Sequence, residues 1–418
     1  MKILLVNKFF FLNGGSETVF FQERNFLINK GHKIYDFSME HPENFSSECS
    51  DYFVPNVDYR KSLRDNKLAL FFERCRIAFD LVHNREALKK LNSLIQNEKP
   101  DIAHLHNIYH QLTPSIIPLL KNAGIKVVLT LHDYKLICPS YLMINNDTIC
   151  NKCQGKYFWN VIIQRCQEGS YFKSLLLSIE AYWHKWARSY ESVDLFLSPS
   201  KFIAELVARY RIDEKKIEVL RNGIETNKYI HSNLDNNYAI YFGRISREKG
   251  IEVLLKAHNL MSAEQNKNVK VNIGLKILGT GPLLEKLKNE YFQVEFLGYK
   301  TGNELKKLIG ESSFVVVPSQ CNENCSMSVL ESMAYGKPVI GSRIGGLPEQ
   351  IEDNKTGFLF QMGNIEELKE KMTLLTKNKV LRTEMGKAAR EKLEKEYFFE
   401  AHCTKLMKIY EDLLSRNW

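Results

Sequence analysis

The sequence predicts an α/β protein with two parallel sheets, one in each half, facing each other across a cleft. Three observations carry this. Short β-rich apolar runs alternate with amphipathic helical patterns, as in repeated βαβ units. The alternation restarts after a polar stretch near the middle. The 418 residues and 44% hydrophobic content exceed one ordinary domain and suffice for two cores.

The elements follow in order. "KILLV" is the first strand, closed by a Gly-rich turn and the helical "SETVFFQERNFLINKG". Strands "DIAHLH", "KVVLTLH" and "DLFLSPS" complete the first series. Residues 224–238, "IETNKYIHSNLDNNY", are Asn-rich and lack periodicity, which marks a boundary. "AIYFGRI", "GLKILGTG", "VEFLGY", "FVVVPS" and "KPVIGS" form the second series. The final helix, "YFFEAHCTKLMKIYEDLL", is amphipathic, so its apolar face needs a partner.

Composition narrows the function classes. No run of about 18 apolar residues exists to span a bilayer. "MKILLVN" is too short for an export signal core, and nine cysteines then point to a reducing cytoplasm with free thiols. A net charge of +9 suits anionic partners. No nucleic-acid-binding motif accompanies it, so nucleic acid is set aside.

In open parallel sheets, ligands bind beyond the carboxyl ends of the strands. Four motifs lie there. "NGGSE" contains Gly14 and Gly15, which allow close backbone approach and open a helix toward an anion; a plain turn would read the same way. "FGRISREKG" ends a strand at Gly243 and offers Arg244 and Lys249 to one anion, unless the loop is only a solvated charged turn. "QCNENCSMSVLE" places Glu323 at a strand mouth and Glu331 inside the next helix, with Ser326 and Met327 at the helix start. Ser326 or Ser328 can cap this helix, and Ser328 with Glu331 also has capping-box spacing. No third ligand supports a metal there. A loop and a helix flank suit a glycosidase acid/base pair poorly. The arrangement suits a ligand with hydroxyls at both ends and a diphosphate in the middle. "GGLPEQI" supplies another tight loop, or a simple turn.

Taken together, "FGRISREKG", the E-x7-E of Glu323 and Glu331, "LESMAYGKPVI" and "GGLPE" resemble family 4 of the retaining glycosyltransferases. "NGGSE", Leu131-His132-Asp133 and "VLRNGIE" resemble that family's first half and linker. The resemblance implies a GT-B fold: two Rossmann-like domains, residues 1–223 and 235–394, with the terminal helix 395–418 packed back on the first. It implies transfer of a sugar from a nucleotide diphosphate sugar (UDP or GDP) to a glycan or lipid-linked acceptor, as in bacterial capsule, O-antigen or lipopolysaccharide assembly. No catalytic metal is implied. Arg244 and Lys249 would stabilise the leaving diphosphate and Glu331 would hold the ribose hydroxyls. Glu323 would contact the donor sugar. Amides near Ser326 and Met327, with Gly14, Gly15 and Gly243, would line the donor site, and His132 would face the sugar. The family often has Gly-Phe-Gly after the first glutamate. Asn324-Cys325-Ser326 stands here, which directs attention to the sugar identity. A sugar-nucleotide epimerase of the same fold, and a sugar-nucleotide-binding protein without turnover, are the alternatives. An NAD-dependent dehydrogenase is disfavoured, because "GTG" at Gly279 to Gly281 lacks the third glycine.

Two features stand outside these motifs. Cys138, Cys150, Cys153 and Cys166 form a C-x11-C-x2-C-x12-C series, a candidate structural zinc site or four unrelated thiols. Residues 151–190 hold Trp159, Trp183 and Trp186 among Lys152, Lys156, Arg165, Lys173, Lys185 and Arg188, with only Glu168 and Glu180 opposing. This composition suits peripheral contact with an anionic membrane surface, or a helix pair facing a core with a basic outer face. "KLALFFERCRIAFDLV", residues 67–82, has a similar character.

Overall fold

The computed structural model describes residues 1–56, 76, 78–146, 148–232, 234–268 and 273–415; residues 67–75 and 77 of the segment 67–82 lie outside them. Strands Lys2–Val6 (β1), Lys33–Phe37 (β2), Ile102–Leu105 (β3) and Lys126–Thr130 (β4) come first. Ile144–Asn145 (β5) and Thr148–Ile149 (β6) form a small antiparallel hairpin. Leu195–Ser198 (β7) and Ile217–Val219 (β8) complete a six-stranded sheet in the order β2-β1-β3-β4-β7-β8. All its pairings are parallel.

The second sheet comprises Tyr238–Phe242 (β9), Gly274–Leu278 (β10), Glu295–Gly298 (β11), Phe314–Val317 (β12), Val339–Ser342 (β13) and Gly357–Phe360 (β14). Its order is β11-β10-β9-β12-β13-β14, again all parallel. Numbered within its own half this is 3-2-1-4-5-6, a doubly wound arrangement. Strands β3, β9 and β12 are buried along their whole length, which is why they read as continuous apolar runs. The fold is the expected α/β pair of parallel-sheet units.

Strand order reverses between β1 and β3 in the first sheet and between β9 and β12 in the second. Ligands of such sheets bind at these crevices. The loops leaving the four strands carry Gly14 and Gly15, His106, Arg244 and Lys249, and Glu323.

The helix Phe399–Ser415 packs on the first sheet although it comes last in the chain. Its Leu406, Ile409, Tyr410 and Leu413 join the core of that sheet. Each such burial contributes about 1.5–3 kcal/mol relative to exposure.

The helix Tyr171–Trp186 does the reverse. It buries Ser174, Ser178, Glu180 and His184 together with Leu177, and exposes Phe172, Leu175, Ile179 and Trp186. Two of these polar groups hold one partner each: Glu180 Oε2 lies 2.6 Å from Lys135 Nζ, and His184 Nδ1 3.1 Å from Ser189 Oγ. The inner face is therefore mainly polar. A core-facing helix with a basic outer face does not describe it.

Candidate active site

β9 ends at Phe242, and the chain turns through Gly243 into Arg244. The Arg244 guanidinium is exposed and makes no hydrogen bond or ion pair among the described residues. Tyr141 of the first half lies within its electrostatic reach. The loop closes at Gly250, whose φ is +70°. A Cβ there would sit 1.8 Å from the Pro318 carbonyl oxygen, just beyond β12. Glycine thus lets this loop lie against the β12 exit.

That contact brings Lys249 Nζ to 2.7 Å from Glu323 Oε1, which also accepts a 2.5 Å bond from Ser319 Oγ. Burial pushes the Lys249 ammonium down, but the Glu323 carboxylate and nearby Cys321 more than reverse this and hold it above its ordinary value. Burial likewise pushes the Glu323 carboxyl up, and the Lys249 charge, its bond and the Ser319 bond bring it below the ordinary range. The two therefore form an ion pair.

Glu331 differs. It lies in the helix Met327–Ala334, and its carboxylate makes no hydrogen bond among the described residues. Burial pushes its carboxyl up to about 7, opposed only by Lys306. The capping box is excluded: Ser328 lies inside the helix and its hydroxyl donates to the Phe242 carbonyl at 3.2 Å. Ser326 occupies the cap position, but its hydroxyl caps nothing.

The Ser326 amide corrects one sequence expectation. It donates to Gln350 Oε1 at 2.8 Å and is not open to a phosphate. The open amides are those of Met327 and the two residues after it, which have no partner within a helix. Opposite them stands the glycine turn of the first half, where Gly14 precedes the helix Gly15–Asn29. A Cβ on Gly15 would come within 3.0 Å of Met327 Cγ, so these two helix starts face each other closely.

Asn324 corrects a second expectation. Its side chain bridges the two halves: Oδ1 accepts from Ser200 Oγ at 3.0 Å and Nδ2 donates to the Leu131 carbonyl at 2.6 Å. The side chain thus ties the residue after Glu323 to the residue before His132. It acts as a staple between the halves and does not project into open space for a sugar. The "GGLPE" loop supports the staple. The Gly346 amide donates to the Glu323 carbonyl at 2.6 Å, and a Cβ on Gly346 would lie 2.0 Å from the Asn324 carbonyl oxygen. Glu349 accepts from the Lys201 and Phe202 amides at 3.0 and 2.8 Å, capping a helix of the first half. Neither Asn324 nor Glu349 stood out as a bridge in the sequence.

His132 follows β4, and its Nε2 lies 2.8 Å from His106 Nδ1. Behind them Glu23, His104 and His402 form a buried cluster that sequence reasoning also missed. The alternation His-Leu-His in a strand puts His104 and His106 on one face, and this was the available signal.

Cys138, Cys150, Cys153 and Cys166 line one small cavity of about 10 Å³. The series is therefore a true cluster. Among the described residues, however, only Glu23, His104 and His106 bring three ligand atoms within 4.8 Å of one another. Burial pushes the Cys153 and Cys166 thiols up, favouring their protonated forms. A groove of about 940 Å³ separates this segment from Arg247, Glu248 and Gln320 of the second half.

The comparisons with known proteins agree with this geometry. A family model described as Glycosyltransferase Family 4 matches residues 13–228, more than half of the chain, and one described as Glycosyl transferases group 1 matches residues 224–392. An uncharacterized glycosyltransferase of Methanocaldococcus jannaschii is 26% identical over 355 residues, covering 80% of this chain and 85% of the relative. Sucrose-phosphate synthase from Thermosynechococcus elongatus superposes with a TM-score of 0.72 at 17% identity, over 99% of both chains. Anabaena HepE in complex with UDP-glucose gives 0.67 at 15% identity, over 99% of this chain and 100% of that one. At these identities the structures establish the fold, which is GT-B. The chain belongs to glycosyltransferase family 4.

Proposed function

We propose that the chain transfers a sugar from a nucleotide diphosphate sugar to a glycan or lipid-linked acceptor, with retention at the anomeric carbon and without a catalytic metal. One observation carries this reading. At the switch point of the second sheet, the Lys249–Glu323 ion pair and the unpaired Arg244 stand beside open helix amides that face the glycine turn of the first sheet.

In this reading Arg244 and Lys249 stabilise the diphosphate as negative charge grows on it, and Glu323 positions Lys249 and meets the sugar. Preorganised charges aimed at a developing anion are among the largest catalytic contributions. Glu331, with no partner of its own, accepts from the ribose hydroxyls. Gly14, Gly15 and Gly243 leave room for the diphosphate, and His132 faces the sugar. The UDP-glucose bound by Anabaena HepE favours a uridine donor here, with GDP sugars as the second choice.

Incubation with UDP and GDP sugars, with and without lipid acceptors, tests the reading. We expect sugar transfer with the donor's anomeric configuration kept in the product. An inverted product contradicts retention. An epimerised donor formed without acceptor favours the epimerase, and binding without turnover favours a sensor.

We also assign the outward face of Tyr171–Trp186 to an anionic bilayer, which suits an acceptor anchored there, as in surface polysaccharide assembly. No helix among the described residues is long and apolar enough to cross a membrane. Trp186 is 77% exposed, and Trp159, Ile163 and Phe172 extend the same apolar surface. Of the two local acids, Glu180 is buried against Lys135 and Glu168 pairs with Lys173. The exposed charge is thus mainly cationic, which complements anionic headgroups. Wild type should sediment with phosphatidylglycerol vesicles, less so at high salt. Phe172→Asp with Trp186→Asp should weaken this at least about tenfold, given the apolar area removed. Equal binding by wild type and variant would contradict the assignment.

For the four cysteines we propose a structural zinc ion, bound as the sulfurs draw in around their shared cavity. About one zinc per chain, lost in Cys153→Ser, is the expected metal analysis. Metal-free wild type of full stability would contradict it.

A further inference from the structure

Glu23, on the helix Gly15–Asn29, is a carboxylate only 2% exposed and ringed by histidines from three distant parts of the chain. His402, on the terminal helix, has Nδ1 2.7 Å from the Arg221 carbonyl, which only accepts, so Nδ1 carries a proton. Its Nε2 lies 2.9 Å from Glu23 Oε1. That second contact also needs a proton between the two atoms. It is met by an imidazolium beside a carboxylate, or by a neutral ring beside a carboxylic acid. Burial pushes the Glu23 carboxyl up, but the His402 bond and the charge it brings leave it below the ordinary carboxylate value, which favours the ion pair.

The other oxygen, Oε2, is buried with no hydrogen-bond partner and lies 3.6 Å from His106 Nε2, which is equally buried and unpartnered. His104 flanks the same oxygen at 3.5 Å and is held by Thr130 Oγ1 and the Tyr410 hydroxyl, each at 2.7 Å. A carboxylate oxygen facing His106 Nε2 favours a proton on that nitrogen. Burial pushes His106 well below its ordinary value, so its ring is neutral and Nδ1 holds the lone pair. His132 must then donate Nε2–H across the 2.8 Å contact. Burial brings His132 down to about 4, so it too is neutral, and its Nδ1 is left as an acceptor.

We propose that Glu23, clamped by His402, is a positioning residue that acts through His106 to fix His132 in the Nε2–H form, so that His132 offers an acceptor nitrogen to a donor-sugar hydroxyl. Only the final clause rests on the reading of His132 as a wall of the sugar pocket. The arrangement also ties the terminal helix to that wall. A metal ion held by Glu23 Oε2, His104 Nδ1 and His106 Nε2 is the competing use of these atoms. It would need the lone pair on His106 Nε2, moving the proton to Nδ1 and reversing His132 to Nδ1–H. The two occupancies therefore predict opposite tautomers.

The test is two-bond proton–nitrogen NMR on the full chain with nitrogen-15 histidine, before and after chelator, with His132→Asn for assignment. We expect His106 and His132 as Nε2–H forms in both samples. Glu23→Gln should abolish the preference and lower kcat roughly tenfold, about the worth of one neutral hydrogen bond, with donor KM little changed. Wild-type His132 as Nδ1–H overturns the proposal, as does a folded Glu23→Gln chain with unchanged tautomers. If Glu23→Gln does not fold, the wild-type spectrum decides. The expected tautomers in a chain that transfers no sugar would uphold the relay and overturn the functional reading instead.

Discussion

The two strand edges that face the cleft use charge in opposite ways. The first is backed by Glu23, His104, His106 and His402, which are buried and held by one another and by Thr130, Tyr410 and Arg221, with Glu23 Oε2 and His106 Nε2 left facing each other at 3.6 Å. On the second, among the described residues, the Arg244 guanidinium is exposed and unpaired, the Glu331 carboxylate has no hydrogen bond, and the Lys249 side chain is 33% exposed beside Glu323. A network closed off from solvent rigidifies a wall. Groups left without partners beside the cleft have capacity for a ligand. The difference suggests a division of labour: the first edge shapes the pocket, and the second grips the donor.

The largest expected effect comes from removing charge on the second edge. Lys249→Ala should lower kcat at saturating donor about 100- to 1,000-fold, the range for loss of one preorganised group at a developing anion. Next comes Glu331→Gln, which should raise donor KM about tenfold or more with kcat largely kept, because a hydrogen bond to a charged group is lost. The same residue gives a pH signature. Its carboxyl ionises near 7 in the folded chain. Donor affinity in wild type should therefore rise with pH through about 7, and Glu331→Gln should flatten that rise.

A smaller effect is expected at the staple between the edges. Asn324→Gly removes two bonds between the halves and should lower kcat roughly tenfold without changing which donor sugar is preferred, since each neutral bond contributes about 1 kcal/mol. A changed sugar preference would restore the residue to the pocket. The last concerns the stability of Glu331→Gln, away from catalysis. The folded carboxyl keeps its proton to higher pH than the unfolded one, so wild type loses stability as pH rises from about 4.5 through 7. The variant should be more stable than wild type at pH 8, by about 1–3 kcal/mol, with the difference fading toward pH 4.5. Thermal unfolding across pH reads this directly.

Legibility in the sequence followed burial and distance along the chain. The central strands were plain because both of their faces are covered. The strands missed in the two six-stranded sheets, β2, β8 and β14, are all sheet edges, and β8 is only three residues long; the two-residue strands β5 and β6 were missed as well. Arg244 and Lys249 were legible because five residues and one glycine turn carry them together. The contact of Glu23 with His402 was not, since 379 residues separate the pair. Asn324 was visible as a departure from the family pattern, but its bonds to Ser200 and Leu131 depend on how the halves meet, which no local pattern encodes. The helices Tyr171–Trp186 and Phe399–Ser415 are both amphipathic, and only the fold shows that one is covered and the other is not.

The central claim is that the cations on the second edge act on the leaving diphosphate and not merely on donor binding. Its most direct test is steady-state donor turnover by wild type and Lys249→Ala, with donor raised to saturation for each. The account predicts that kcat falls by about two orders of magnitude or more. An unchanged kcat with only a raised KM would contradict it.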